Sequence, residues 1–189
     1  MGSIKGKISN ETSIGMMTNM KTKKYGVIRE EDGSVHLLLC GLSTDHLLRV
    51  IKEYKPIHMD VFTSLELRQH IETFLKSIQD FSGTFHIEDI PAFTKDSLIV
   101  GSSKIMARYL ILKKRFRWKS FYFGITGGTN TMAAEMTLAA IISCEKIHYV
   151  LHGNEQETEE NQIIVFDTIE LRNMIKNSGI LDGEVHEFA

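Results

Sequence analysis

The run Val35-His-Leu-Leu-Leu-Cys40 constrains this chain more than any other segment. Six residues without apolar/polar alternation fit a strand buried on both faces, and such strands sit inside parallel sheets covered by helices on each side. The residues that follow point the same way. Gly41-Leu42-Ser43-Thr44-Asp45 is a polar loop, after which Leu47, Leu48, Val50 and Ile51 fall at helical spacing, with hydroxyl and carboxylate residues available to cap the helix start.

The same unit then repeats. Pro56 ends the first helix, residues 57–63 read as a second strand, and Ser64 caps a helix carrying Leu65, Leu67, Ile71, Phe74, Leu75 and Ile78 on its apolar positions. Residues 81–90 form a further strand, and Asp96 opens a long helix containing Leu98, Ile99, Ile105, Met106, Tyr109, Leu110 and Leu112. Residues 118–125 return as a strand and 133–143 as a helix. Strands at 147–151 and 163–168, separated by an acidic connection, and a helix at 169–176 complete the pattern. Upstream, residues 25–30 form a strand joined to the first buried one by a tight Asp32-Gly33 turn. This alternation predicts an α/β fold: a Rossmann-like three-layer sandwich, with a central, mainly parallel sheet and helices on both faces.

Composition narrows the function. The 189 residues, 42% of them hydrophobic, suit one domain, read here as residues 25–189 behind a mobile leader at 1–24 that is rich in Lys, Ser, Thr and Asn. Lys plus Arg total 22 against 24 Asp plus Glu, so no broadly basic surface exists for coating nucleic acid. Cys40 and Cys144 stand alone in apolar surroundings and read as small core residues of a reducing compartment. His148 and His152 are too widely spaced on an extended strand to share a metal, so neither metal nor cofactor is expected. No apolar run approaches the roughly 20 residues of a membrane span, and no signal-peptide core is present. A cytoplasmic location is expected.

The segment most informative about function is Phe121-Tyr-Phe-Gly-Ile-Thr126-Gly127-Gly128-Thr129-Asn130-Thr131-Met132. A buried strand runs directly into a hydroxyl-rich Gly-Gly turn and then a helix. Gly127 and Gly128 permit positive φ and bring backbone N–H groups close to a ligand, and the helix start adds free donors and the positive dipole end. Such a loop suits a phosphate, with Thr126, Thr129, Asn130 and Thr131 as further hydrogen-bonding groups. Neither a GxGxxG fingerprint nor a Walker A motif is present, which removes support for hydride transfer and NTP hydrolysis. From the residues alone, two readings stay open: an anion-binding loop, or paired glycines serving packing.

Thr126-Gly-Gly-Thr-Asn-Thr-Met, fed by an apolar strand and followed by a small-residue helix, resembles the TGGTK-x-M signature of CRISPR-associated Rossmann-fold (CARF) domains, and Gly41-Leu42-Ser43-Thr44 is similar to the family's other ligand loop. The resemblance covers most of the chain. It implies a homodimeric receptor of type III CRISPR antiviral signalling that binds cyclic tetra- or hexa-adenylate on its two-fold axis. The ligand-binding residues it implies are Gly41, Leu42, Ser43, Thr44, Thr126, Gly127, Gly128, Thr129, Asn130 and Thr131. No conventional output module is recognisable, so the signal would pass to a separate effector chain or to a domain outside this sequence.

One position departs from the family: Asn130 stands where Lys is usual, replacing a fixed charge with a neutral amide. The stretch Lys113-Lys-Arg-Phe-Arg-Trp-Lys119, five cations in seven residues, could compensate, although a basic helix end that faces solvent is the simpler reading. The resemblance also allows an alternative, a metal-independent ring nuclease in which a ribose 2′-OH attacks its adjacent phosphate, with Ser43 and Asn130 as the candidate catalytic side chains. A Rossmann-like site for an ordinary mononucleotide is a third reading. Arg29 and His36 echo a ribonuclease motif but flank a hairpin, which makes His36 a plain strand residue. His46, in the first turn of a helix, is expected to be solvated, and Glu155, Glu157, Glu159 and Glu160 to lie in a solvated loop.

Overall fold

A computed structural model describes residues 33–92, 97–151 and 163–177. The expected leader, the strand at 25–30, Arg29, Asp32, Asp96, His152 and the acidic connection with its four glutamates lie outside the described residues. Twelve elements follow in order: β1 (Ser34–Leu39), α1 (Asp45–Tyr54), β2 (His58–Thr63), a 3-10 turn (Leu65–Leu67), α2 (Arg68–Ser77), β3 (Thr84–Asp89), α3 (Ser97–Arg115), β4 (Ser120–Gly124), α4 (Asn130–Ser143), β5 (Lys146–Val150), β6 (Ile163–Asp167) and α5 (Thr168–Asn177).

The strands form one sheet in the order β3-β2-β1-β4-β5-β6. The first five are parallel and β6 runs antiparallel to β5. β1 lies between β2 and β4, with Leu37 in register with Asp60 on one side and Phe123 on the other. All six of its residues are buried, which is why its sequence shows no alternation.

Successive side chains of β1 divide the core into the outer layers of the sandwich. Val35, Leu37 and Leu39 join Phe121, Phe123 and Ile147 against Ile105, Leu112, Met136, Ala139 and Ala140 of α3 and α4. Leu38 and Cys40 join Met59 and Val61 against Leu47, Val50, Ile51, Ile71 and Leu75 of α1 and α2. Truncating a fully buried ring such as Phe123 to Ala removes about 3–5 kcal/mol of such packing.

The sheet also buries polar groups that strand periodicity does not announce. Asp60 is fully buried and accepts from Arg108 Nε at 2.7 Å and Nη2 at 3.1 Å, and from His58 Nε2 at 2.8 Å. His58 Nδ1 lies 2.6 Å from Thr84 Oγ1, so the network joins β2, β3 and α3. On the opposite face His36 is more than a plain strand residue. Its ring stacks on Tyr122, and its two nitrogens meet Ser34 Oγ at 2.8 Å and His148 Nε2 at 3.3 Å.

Several boundaries differ from expectation. α4 starts at Asn130 rather than residue 133, because Thr129 takes the cap position and its Oγ1 accepts the Met132 N–H at 3.3 Å. β4 starts at Ser120, leaving Trp118 86% exposed in the preceding turn. β3 starts at Thr84 rather than residue 81. Cys144 is a half-buried, left-handed residue at the end of α4 rather than a core residue, whereas Cys40 is buried. No helix among the described residues is long and apolar enough to cross a membrane.

Candidate functional site

Strand order reverses between β1 and β4: from β1 the chain builds outward through β2 and β3, and from β4 through β5 and β6. In such sheets the loops leaving the two central strands diverge to opposite faces and open a crevice at the carboxyl ends. Both loops singled out from the sequence lie there, one between β1 and α1 and the other between β4 and α4.

The loops touch. A Cβ on Gly41 would stand 3.0 Å from the Gly128 nitrogen, so the two backbones approach closely here and glycine at 41 leaves them room. Gly127 and Gly128 have φ of 90° and 71°, in the region that favours glycine. The two glycines and Gly41 thus form a shared seam from segments far apart in sequence.

Around this seam the expected site residues divide into two groups. Leu42, Ser43, Gly128 and Asn130 are exposed, and Gly41, Thr44, Gly127, Thr129 and Thr131 are half-buried. Asn130 and Thr131 occupy the first turn of α4, and Ser43 Oγ lies 3.4 Å from Asp45 Oδ2 at the start of α1. Thr126 is different: it is buried, and its hydroxyl accepts the Val150 N–H at 2.6 Å, tying the loop to β5. Thr129 is likewise held by the protein, capping Met132 and donating to the Ala92 carbonyl at 3.4 Å. Thr126 and Thr129 therefore shape the loop, while Ser43, Asn130 and the glycine backbone present polar groups outward.

α1 and α4 both begin at the crevice, bringing N–H groups and the positive ends of two helix dipoles to it, and the exposed Asp45 carboxylate opposes them. The Lys113–Lys119 run cannot supply charge here. α3 carries it to the opposite edge, where Lys113 pairs with Glu145 at 2.6 Å and β4 begins at once afterwards. Cys40 lies beneath the first loop with its thiol pushed up to about 12 by burial, so it is neutral rather than a nucleophile at physiological pH. Among the described residues no group of three or more His, Cys, Asp or Glu could hold a metal ion.

His46 corrects the sequence reading. It is 2% exposed rather than solvated, its Nε2 lies 2.8 Å from the Leu39 carbonyl oxygen, and its ring packs against Gly127. A signal was present in the sequence: position 46 precedes Val50 by four residues and so lies on the buried stripe of α1.

No family model matches the chain, and no curated protein matches it. Solved structures do. Enterococcus italicus Csm6 bound to cyclic hexa-2′-fluoro-hexa-dAMP superposes with a TM-score of 0.62 at 11% identity, over 78% of this chain and 44% of that one. Can2 from Sulfobacillus thermosulfidooxidans in complex with cyclic tetra-adenylate gives 0.50 at 15% identity, over 71% and 37%. A type III CRISPR defence DNA nuclease activated by cyclic oligoadenylate gives 0.51 at 16%, over 62% and 18%. The chain spans less than half the length of each of these proteins. With its mainly parallel six-stranded sheet and reversed strand order, the chain shares a Rossmann-like α/β fold with the matched part of each of these proteins.

Proposed function

We propose that this chain is a cyclic oligoadenylate receptor of type III CRISPR antiviral signalling, acting in the cytoplasm. The observation that carries the reading is the seam between Gly41 and Gly128, which joins two polar loops at the strand-order reversal of a fold shared with proteins solved with cyclic oligoadenylate-type rings. Two copies related by a two-fold axis would each present the same pair of loops to a symmetric ring, which suits an isologous dimer. Backbone N–H groups and helix starts would hold the phosphates, and Ser43 and Asn130 would meet phosphate or base edges. The signal would then pass to a separate effector chain or to a domain outside this sequence.

Asn130 favours reception over rapid cleavage. It is exposed at the first position of α4 and brings an amide, not a fixed charge, to the place where extra negative charge would develop during attack on phosphorus. The test is incubation with cyclic tetra-adenylate and, separately, cyclic hexa-adenylate in EDTA, following binding and products by chromatography with mass detection. Tight binding of an intact ring is expected. Linear products carrying a 2′,3′-cyclic phosphate would make the chain a ring nuclease, and failure of both rings to bind would remove the reading.

A further inference from the structure

The two ligand loops meet at a second point, below the glycine seam, and a single side chain makes the connection. His46 leaves the first turn of α1 and turns under the crevice, where 2% of it is exposed. Its Nε2 lies 2.8 Å from the carbonyl oxygen of Leu39, the last residue of β1 before the first loop. A carbonyl only accepts, so Nε2 carries the proton and donates. The same edge of the ring faces Gly127 of the second loop. A Cβ at that glycine would stand 3.0 Å from His46 Cε1, 3.1 Å from Nε2 and 3.2 Å from the Leu39 oxygen.

We propose that His46 is a positioning residue that sets the spacing of the two loops and thereby governs affinity for the ring. The proposal rests on the cyclic oligoadenylate reading for its ligand. The imidazole acts in two ways. As a donor it fixes the end of β1, and as a flat body against Gly127 it limits how far the second loop can sink toward the sheet. A side chain at Gly127 would crowd the ring and strain a backbone at φ 90°, and one at Gly41 would crowd the Gly128 nitrogen. Spacing at the seam therefore depends on what lies beneath it, and binding geometry is sensitive to such supports even where they never touch the ligand.

Three variants separate these roles. His46→Leu keeps bulk and removes the donor, His46→Gln places an amide nitrogen at a reach similar to Nε2, and His46→Asn holds its amide too close to the backbone to reach Leu39. Expected affinities for cyclic tetra- or hexa-adenylate are about tenfold or more weaker for Leu and Asn, the scale of one buried hydrogen bond left unmade, with Gln restored to near the parent value. A merely structural histidine would lower the melting temperature without this pattern. Amide hydrogen exchange in the ring-free protein supplies the ligand-independent arm: exchange at residues 41–44 and 127–129 should quicken by about tenfold or more in the Leu or Asn variant, and revert in Gln, if His46 braces both loops. Folded variants that bind as tightly as the parent, or loops that exchange at the parent rate, would overturn the proposal. If the parent protein bound neither ring, the ligand reading would fail, and the exchange pattern would still decide whether His46 sets the loops.

Discussion

Glu135 lies in the second turn of α4, wholly buried, and neither of its carboxyl oxygens has a hydrogen-bond partner among the described residues. It sits against Gly101 of α3, where a side chain would collide with the carboxyl group. Burial disfavours the charged form and pushes this carboxyl from 4.5 up to about 7. The sign follows from proton binding. Between these two values the unfolded chain ionises while the folded one stays protonated, so stability attributable to this group is present below about 4.5 and is lost as pH rises toward 7. Linkage with those values gives a loss of about 1 kcal/mol at pH 5 and about 3 kcal/mol at pH 8, a difference of roughly 2 kcal/mol. Glu135→Gln keeps the shape and cannot ionise. Urea unfolding of both proteins at the two pH values isolates the effect, because every other titrating group cancels in the difference between them. The glutamine variant should gain roughly 2–3 kcal/mol on the parent between pH 5 and pH 8. An equal difference between the two proteins at both pH values would refute the reasoning and show the carboxylate already paired or hydrated.

Further outcomes follow from the same structure. Gly128→Asp places a side chain at φ 71° and a negative charge on the exposed seam, and should abolish ring binding measured by calorimetry while leaving the fold intact by circular dichroism. Burial alone would raise the Asp60 carboxyl, but hydrogen bonds from His58 and Arg108 outweigh it and hold the group below its usual range. Arg108→Met should therefore cost about 3 kcal/mol or more in chemical denaturation, and adding Asp60→Leu should recover much of it. Burial drives His36 well below its ordinary value and His148 to about 3, helped by the adjacent imidazole of His148 in the first case and of His46 in the second. Both must stay neutral to remain folded, so their contribution is present above about pH 6.5 and is lost as pH falls, at up to about 1.4 kcal/mol per pH unit each. Replacing His148 with Gln should flatten the stability profile between pH 6.5 and 5.

Much of this architecture is legible from local chemistry. A strand buried on both faces must be apolar throughout, as in Val35–Cys40, and an amphipathic helix must repeat its apolar residues near 3.6, as Leu47, Val50 and Ile51 do. Pro56 and the Thr126-Gly-Gly-Thr segment mark boundaries for equally local reasons, and the loops they border stand where a strand-to-helix turn must place them. Ser43 and Asn130 are recognisable by type as polar groups beside helix starts, whereas α4 begins at Asn130, three residues before its small-residue run, because Thr129 caps it.

Tertiary structure decided the rest. That Gly41 abuts Gly128 depends on β1 and β4 being neighbours, a pairing between residues 86 apart in sequence that no local pattern encodes. The same holds for the bond by which Thr126 holds Val150, and for the basic run, which α3 carries to the far edge. His36, His46, His58 and Asp60 look like solvent-facing or ordinary strand residues in sequence because a polar group's burial depends on whether distant partners satisfy it. Sequence by itself therefore determined the elements and the chemistry available at their ends. Only the packed sheet determined which of those ends meet and which polar groups go inside, since these depend on contacts that exist only once the chain has closed.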